Sequence, residues 1–223
     1  MPPRQRPDDR PAVLLTGFGP FPGVAANETE RLVPALAATA RAAFKDHTFH
    51  HEILPTEWTT APKRLAALLT ALKPALALHF GVAQDAPGFR IECEGHNACR
   101  LAPDARGDMP PFLSLIADGR PFQTATIPVE EIVHRLRNLG FPAFTSSDAG
   151  GYLCNAVLYH SLSVAERGPS RFRAGFVHLP ADLSGPPLTF GDALRGSLEI
   201  LTICLKSLPA SRGKKRVSGA PLA

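Results

Sequence analysis

The feature that most constrains this chain is an alternation: short apolar runs closed by Gly or Pro, separated by segments with helical spacing. Residues 12–18 (AVLLTGF), 74–81 (PALALHFG) and 173–180 (RAGFVHLP) are too short for helices and read as strands buried on both faces. Residues 49–54 and 142–147 read as two more strands. Helices are predicted from Asn27, an N-cap before the acidic Glu28 and Glu30, to about Phe44, and over 62–72, 128–139 and 190–208. A further helix starts near Tyr152–Cys154 and runs to about Glu166. Pro34 sits inside the first helix and is expected to kink or break it. Strands alternating with helices predict an α/β fold: a single three-layer domain, its mostly parallel twisted sheet covered by helices on both faces.

At 223 residues the chain is long enough to bury one large core. The 44% hydrophobic content and net charge of +4 exclude a wholly disordered chain. No apolar run approaches the ~18 residues of a membrane helix, and 12–15 is too short for a signal-peptide core, so a cytoplasmic protein is expected. The basic excess is local. Arg212, Lys214, Lys215 and Arg216 lie in a tail without acids, and taking them from the 24 basic residues leaves 20 against 20 acidic ones. Nucleic acid is therefore not expected as a partner. The organisation read is an N-terminal arm (1–11), an α/β domain (12–208) and a basic tail (209–223).

In open α/β sheets, ligands gather beyond the carboxyl ends of strands. Four candidate segments fall there: 17–23, 83–97, 148–154 and His178. Cys154 follows Asp148-Ala-Gly-Gly-Tyr-Leu at a helix start, where free N–H groups and the dipole favour thiolate over thiol. Such a cysteine is either an activated nucleophile or a small buried hydrophobe. His178 ends an apolar strand, as a base facing that helix start or as a core histidine bonded to backbone. A Cys–His pair needs a third group to hold the ring, and both Glu92 and Glu94 are available for it. Cys204, on an apolar helix face, reads as core, and His47, His50 and His51 as a solvated group on a strand edge.

Two other motifs point elsewhere. Gly17-Phe-Gly19-Pro-Phe-Pro-Gly23 has the wrong last spacing for a dinucleotide fingerprint, and its prolines remove N–H groups a pyrophosphate would need. Cys93, His96 and Cys99 offer three ligand types in seven residues, for zinc or, between the cysteines, a disulfide. A fourth ligand is missing and a cytosolic setting disfavours the disulfide, so no metal or cofactor is expected.

Taken in order, four segments resemble the pyroglutamyl peptidase I family of cysteine peptidases over residues 12–208. They are Thr16-Gly-Phe-Gly-Pro-Phe-Pro-Gly23 with Asn27, Glu92 followed by Gly95-His-Asn97, Asp148-Ala-Gly-Gly-Tyr-Leu-Cys154, and Gly175-Phe-Val-His-Leu-Pro180. The resemblance implies Glu92, Cys154 and His178 as a catalytic triad. It implies Phe18, Phe21, Asn27 and Arg100 as substrate-binding residues. The activity implied is removal of an N-terminal pyroglutamyl residue from a peptide with a blocked N-terminus, without a cofactor, by a homo-oligomer (dimer or tetramer). The loop after the third strand departs from the family's usual G-Q-A-G-G-R: here it reads Gly81-Val-Ala-Gln84-Asp-Ala-Pro-Gly-Phe-Arg90. The alternative is accordingly an altered member that binds a small molecule or peptide, or hydrolyses a different N-terminal group.

Overall fold

The computed structural model describes residues 10–168 and 171–209; the arm and basic tail read from the sequence lie almost wholly outside them. The chain runs β1 (Ala12–Phe18), α1 (Thr29–Ala43), β2 (Thr48–Leu54), α2 (Thr60–Leu72), β3 (Leu76–Ala83), β4 (Phe89–Glu92), β5 (Glu94–His96) and β6 (Phe122–Thr124). It continues through α3 (Val129–Asn138), β7 (Ala143–Ser146), α4 (Leu153–Arg167), β8 (Arg173–Pro180) and α5 (Phe190–Lys206). Six strands form one sheet in the order β2-β1-β3-β8-β4-β7. The first four run parallel, β4 pairs antiparallel with β8, and β7 lies parallel to β4. The sheet is thus mostly parallel, as the apolar runs predict, with a reversed pair at one edge.

Both faces are covered, which is why the central strands are apolar on both sides. One core joins Val13, Leu15, Leu78, Phe89, Ile91 and Val177 to the apolar sides of α1, α3 and α5. The other joins Leu14, Phe18, Ala77 and Phe176 to Leu65 and Leu69 of α2 and Leu153, Val157 and Leu162 of α4. Strand alternation then fixes where the remaining β4 side chains go. With Phe89 and Ile91 on the first face, Arg90 and Glu92 project to the face that α4 covers.

Three sequence expectations are corrected. Residues 83–108, where the sequence pattern marks neither strand nor helix, contain β4 and β5, and β5 pairs antiparallel with β6. Helix α1 continues through Pro34. The ring removes one bond, to the carbonyl of exposed Glu30, while buried Leu32, Val33, Leu36, Ala37 and Ala40 hold the helix on the sheet. The helix itself starts two residues after Asn27, whose Oδ1 accepts hydrogen bonds from Thr29 N (3.1 Å) and Thr29 Oγ1 (2.8 Å).

Candidate active site

The antiparallel register of β4 on β8 sets Arg90 opposite His178 and Ile91 opposite Val177, which makes Glu92 a diagonal neighbour of His178 on one face. Glu92 Oε1 lies 2.6 Å from His178 Nδ1, and both residues are buried. Glu94, the other carboxylate considered, belongs to β5, is partly exposed and sits 3.6 Å from His96 Nε2. Burial by itself would push the His178 pKa down. The adjacent Cys154, by charge and hydrogen bond, and Glu92, by hydrogen bond and charge, overcome it and raise the pKa to about 9.

Cys154 is the second residue of α4 and is joined to His178 by a side-chain hydrogen bond. The turn before it is built locally. Asp148 Oδ1 accepts from Gly150 N at 2.8 Å, and Gly150 takes a φ of 75°, which glycine alone adopts without strain. No side chain caps α4, and its first helical bond is Ala156 N to Tyr152 O. The amides of Leu153, Cys154 and Asn155 thus precede the ladder, at the positive end of the helix dipole. The thiol also needs Gly81: a Cβ there would sit 2.9 Å from Cys154 Sγ and 2.8 Å from the Phe176 ring. Gly81→Ala is expected to slow iodoacetamide alkylation of Cys154 about ten- to hundredfold, since a small misplacement is enough. Urea unfolding should read an overpacking cost of about 1–3 kcal/mol.

A cavity of about 390 Å³ opens in front of these groups. Phe18, Phe21, Asn27, Arg100, Cys154 and His178 all line it, while Glu92 lies behind the imidazole. Phe18 is buried against Phe176. Phe21 contacts Tyr152 (5.8 Å between ring centres), and Tyr152 meets Trp58 edge-on at 5.2 Å. Asn27 spends its amide on the loop, donating from Nδ2 to Gly19 O at 3.2 Å while Oδ1 holds Thr29. Arg100 packs its backbone on the turn before α4, donating to Gly151 O at 2.7 Å, and its side chain is exposed. A larger groove, about 750 Å³, lies at the amino ends of β1, β3 and β8 among Pro11, His47 and Arg173, and no cysteine lines it.

Three residues of this region escape the sequence reading. Tyr152 and Trp58 form the aromatic wall, fixed by hydrogen bonds to Pro103 O and Ala102 O. Asn155, buried beside Cys154, accepts from His96 N (2.7 Å) and donates to His96 O (2.8 Å) and Ala98 O (2.9 Å), stapling α4 to the segment after β5. An Asn early in a helix is only a weak hint of this, because its partners are remote in sequence. Of the zinc or disulfide candidates, Cys99 Sγ donates to Phe112 O, His96 Nε2 binds Ser147 O, and Cys93 lines a separate groove beside Glu130. All four cysteines are free, and among the described residues no group of three His, Cys, Asp or Glu side chains converges. No helix in the described residues is long and apolar enough to cross a membrane.

Fold and site together define a class: an α/β protein with a thiol at a helix start, an imidazole on a sheet strand and a buried carboxylate behind it, all at one aromatic-walled cavity. The comparisons narrow this class. The family model described as pyroglutamyl peptidase matches residues 11–185. The pyrrolidone-carboxylate peptidase of Chromobacterium violaceum is 36% identical over 169 residues, covering 75% of this chain and 77% of the relative. That of Pyrococcus furiosus is 32% identical over 169 residues, covering 75% and 80%. A solved mutant pyrrolidone carboxyl peptidase from P. furiosus superposes with a TM-score of 0.81 at 27% identity, covering 89% of this chain and all of that one. The chain belongs to the pyroglutamyl peptidase family.

Proposed function

We propose that this chain is a cysteine peptidase that removes an N-terminal pyroglutamyl residue from peptides, with Glu92, Cys154 and His178 as its triad. The observation that carries the reading is the meeting of Cys154 with the buried Glu92–His178 pair at one cavity. The Cys154 thiolate attacks the pyroglutamyl carbonyl carbon, and the carbonyl electrons move to oxygen. The oxyanion is held by the unpaired amides at the start of α4, with Arg100 alongside. The tetrahedral adduct collapses as His178 protonates the leaving amine. A thioester remains on Cys154, and water, deprotonated by His178, hydrolyses it and returns the thiolate. Glu92 orients the ring and stabilises its charged form.

Phe18 and Phe21 supply apolar surface for the lactam ring, and Asn27 keeps the loop that carries Phe21 in shape. A substrate with a free N-terminus would place an ammonium against these rings without a partner, at a cost of several kcal/mol. The chain is therefore expected to cleave pyroglutamyl-naphthylamide at least about a hundredfold faster, in kcat/KM, than prolyl-naphthylamide, which differs by the lactam carbonyl and the charge. Equal turnover of the two, or turnover of neither, overturns the reading.

A further inference from the structure

Glu92 is buried with its hydrogen bonding half complete. Oε1 takes His178, but the enclosed Oε2 meets no donor. A buried carboxylate with one hydrogen bond is costly and loosely held unless a cation lies close. Here that cation is Arg90, two residues back on β4 and so on the same face, with Nε 3.3 Å from Glu92 Oε1. Arg90 Nε is buried and makes no hydrogen bond of its own, and the side chain is 21% exposed. Its other end, Nη1, lies 3.4 Å from both carboxylate oxygens of exposed Asp85, at the cavity rim. Across β7 the partners of Arg90 and Glu92 are Phe144 and Ser146, and across β8 Arg90 faces His178 itself. Arg90 stands in the loop-to-strand stretch where the chain departs from the family's usual sequence.

We infer that Arg90 is a positioning residue of this site, held from outside by Asp85, whose guanidinium lies against the Glu92 carboxylate and keeps it aimed at His178. The inference rests on the triad reading. Glu92 Oε1 then lies against both Arg90 Nε and His178 Nδ1. Without Arg90 the Glu92 carboxylate loses the guanidinium beside it and its aim at His178, and the ring loses the support that reaches Cys154.

The test is the rate of iodoacetamide alkylation of Cys154 at neutral pH, located by peptide mass, in five folded proteins: wild type, Arg90→Gln, Arg90→Lys, Glu92→Gln and the double variant Arg90→Gln with Glu92→Gln. Arg90→Gln is expected to slow alkylation about tenfold, because the ring beside Cys154 is then less well placed. In the Glu92→Gln background the same change should alter the rate by less than about twofold, because nothing remains for Arg90 to act on. Arg90→Lys, which keeps the charge, should retain at least about a third of the wild-type rate. Arg90→Gln within about twofold of wild type overturns the inference, as does an equal loss with and without Glu92. A Lys variant that is folded but as slow as Gln assigns the loss to packing and also overturns it. A rise in KM with alkylation unchanged would make Arg90 a substrate contact instead. Fast wild-type alkylation without pyroglutamyl turnover defeats the peptidase reading and leaves this comparison standing.

Discussion

Cys154→Ala is expected to reduce pyroglutamyl-naphthylamide hydrolysis by about three orders of magnitude or more, because the acyl group then has no atom to transfer to. Cys154→Ser should lose nearly as much, since a hydroxyl is far harder to ionise beside the same imidazole. The fold should survive both changes. Cys154 is only partly buried, its backbone lies before the first helical bond, and removing one sulfur leaves the helix contacts of Leu153 and Val157 in place. Thermal unfolding is the control, with an expected change within about 1 kcal/mol. The other thiols make the contrast sharp. Burial pushes the Cys204 thiol up to about 12 and raises those of Cys93 and Cys99 as well, so none is expected to ionise readily near neutrality. Replacing those three by Ala should leave turnover within about threefold of wild type and reduce iodoacetamide labelling to a single site. Turnover retained by Cys154→Ala would end the proposal.

The parts of this site that the sequence reveals are those written in local pattern. Strand β8 occupies the residues its apolar run marks, Arg173–Pro180, because a strand buried on both faces has no polar alternation to blur its ends. That placement puts His178 near a strand end, and the two glycines before Cys154 put the thiol at a helix start. Strand β4 is different. It is four residues long, and two of them are a half-buried Arg and a buried Glu, so hydropathy cannot mark it as a strand. The choice between Glu92 and Glu94 depends on the strand's antiparallel register with β8, a property of two segments 86 residues apart. His79 makes the same point within the core. It stands in an apolar strand, yet it is a neutral bridge, bonded by Nδ1 to Thr16 Oγ1 and by Nε2 to Ser161 Oγ, both at 2.8 Å. Burial drives its pKa down to about 3, so it stays uncharged while its neighbour two positions along β8, His178, stays charged. Partners decide which histidine does which, and partners are set by the fold.

The charged state of His178 has a measurable consequence, which Glu92→Gln should expose. With a folded pKa of about 9 against an ordinary 6.5, the imidazolium persists through neutrality and is lost as pH rises through about 9. Its contribution to stability follows the same sign: it is fully present below about 6.5 and disappears as pH climbs through the folded value. Activity in the wild type should therefore hold across neutral pH and fall on the alkaline side, as the proton that must pass to the leaving amine is no longer held. Gln at position 92 retains a group able to accept the Nδ1–H bond but removes the negative charge. One of the two neighbours that raise the His178 pKa is weakened while the burial that lowers it remains, so the alkaline fall should move to lower pH. The imidazolium, present at rest and formed again as water attacks the thioester, also loses its counter-charge. The expected loss in kcat is about 10²- to 10⁴-fold, with KM changed far less because Glu92 does not line the cavity. A profile of kcat against pH for both proteins decides it. An alkaline limb that stays in place, or a loss confined to KM, would show that Glu92 does not act through the ring of His178.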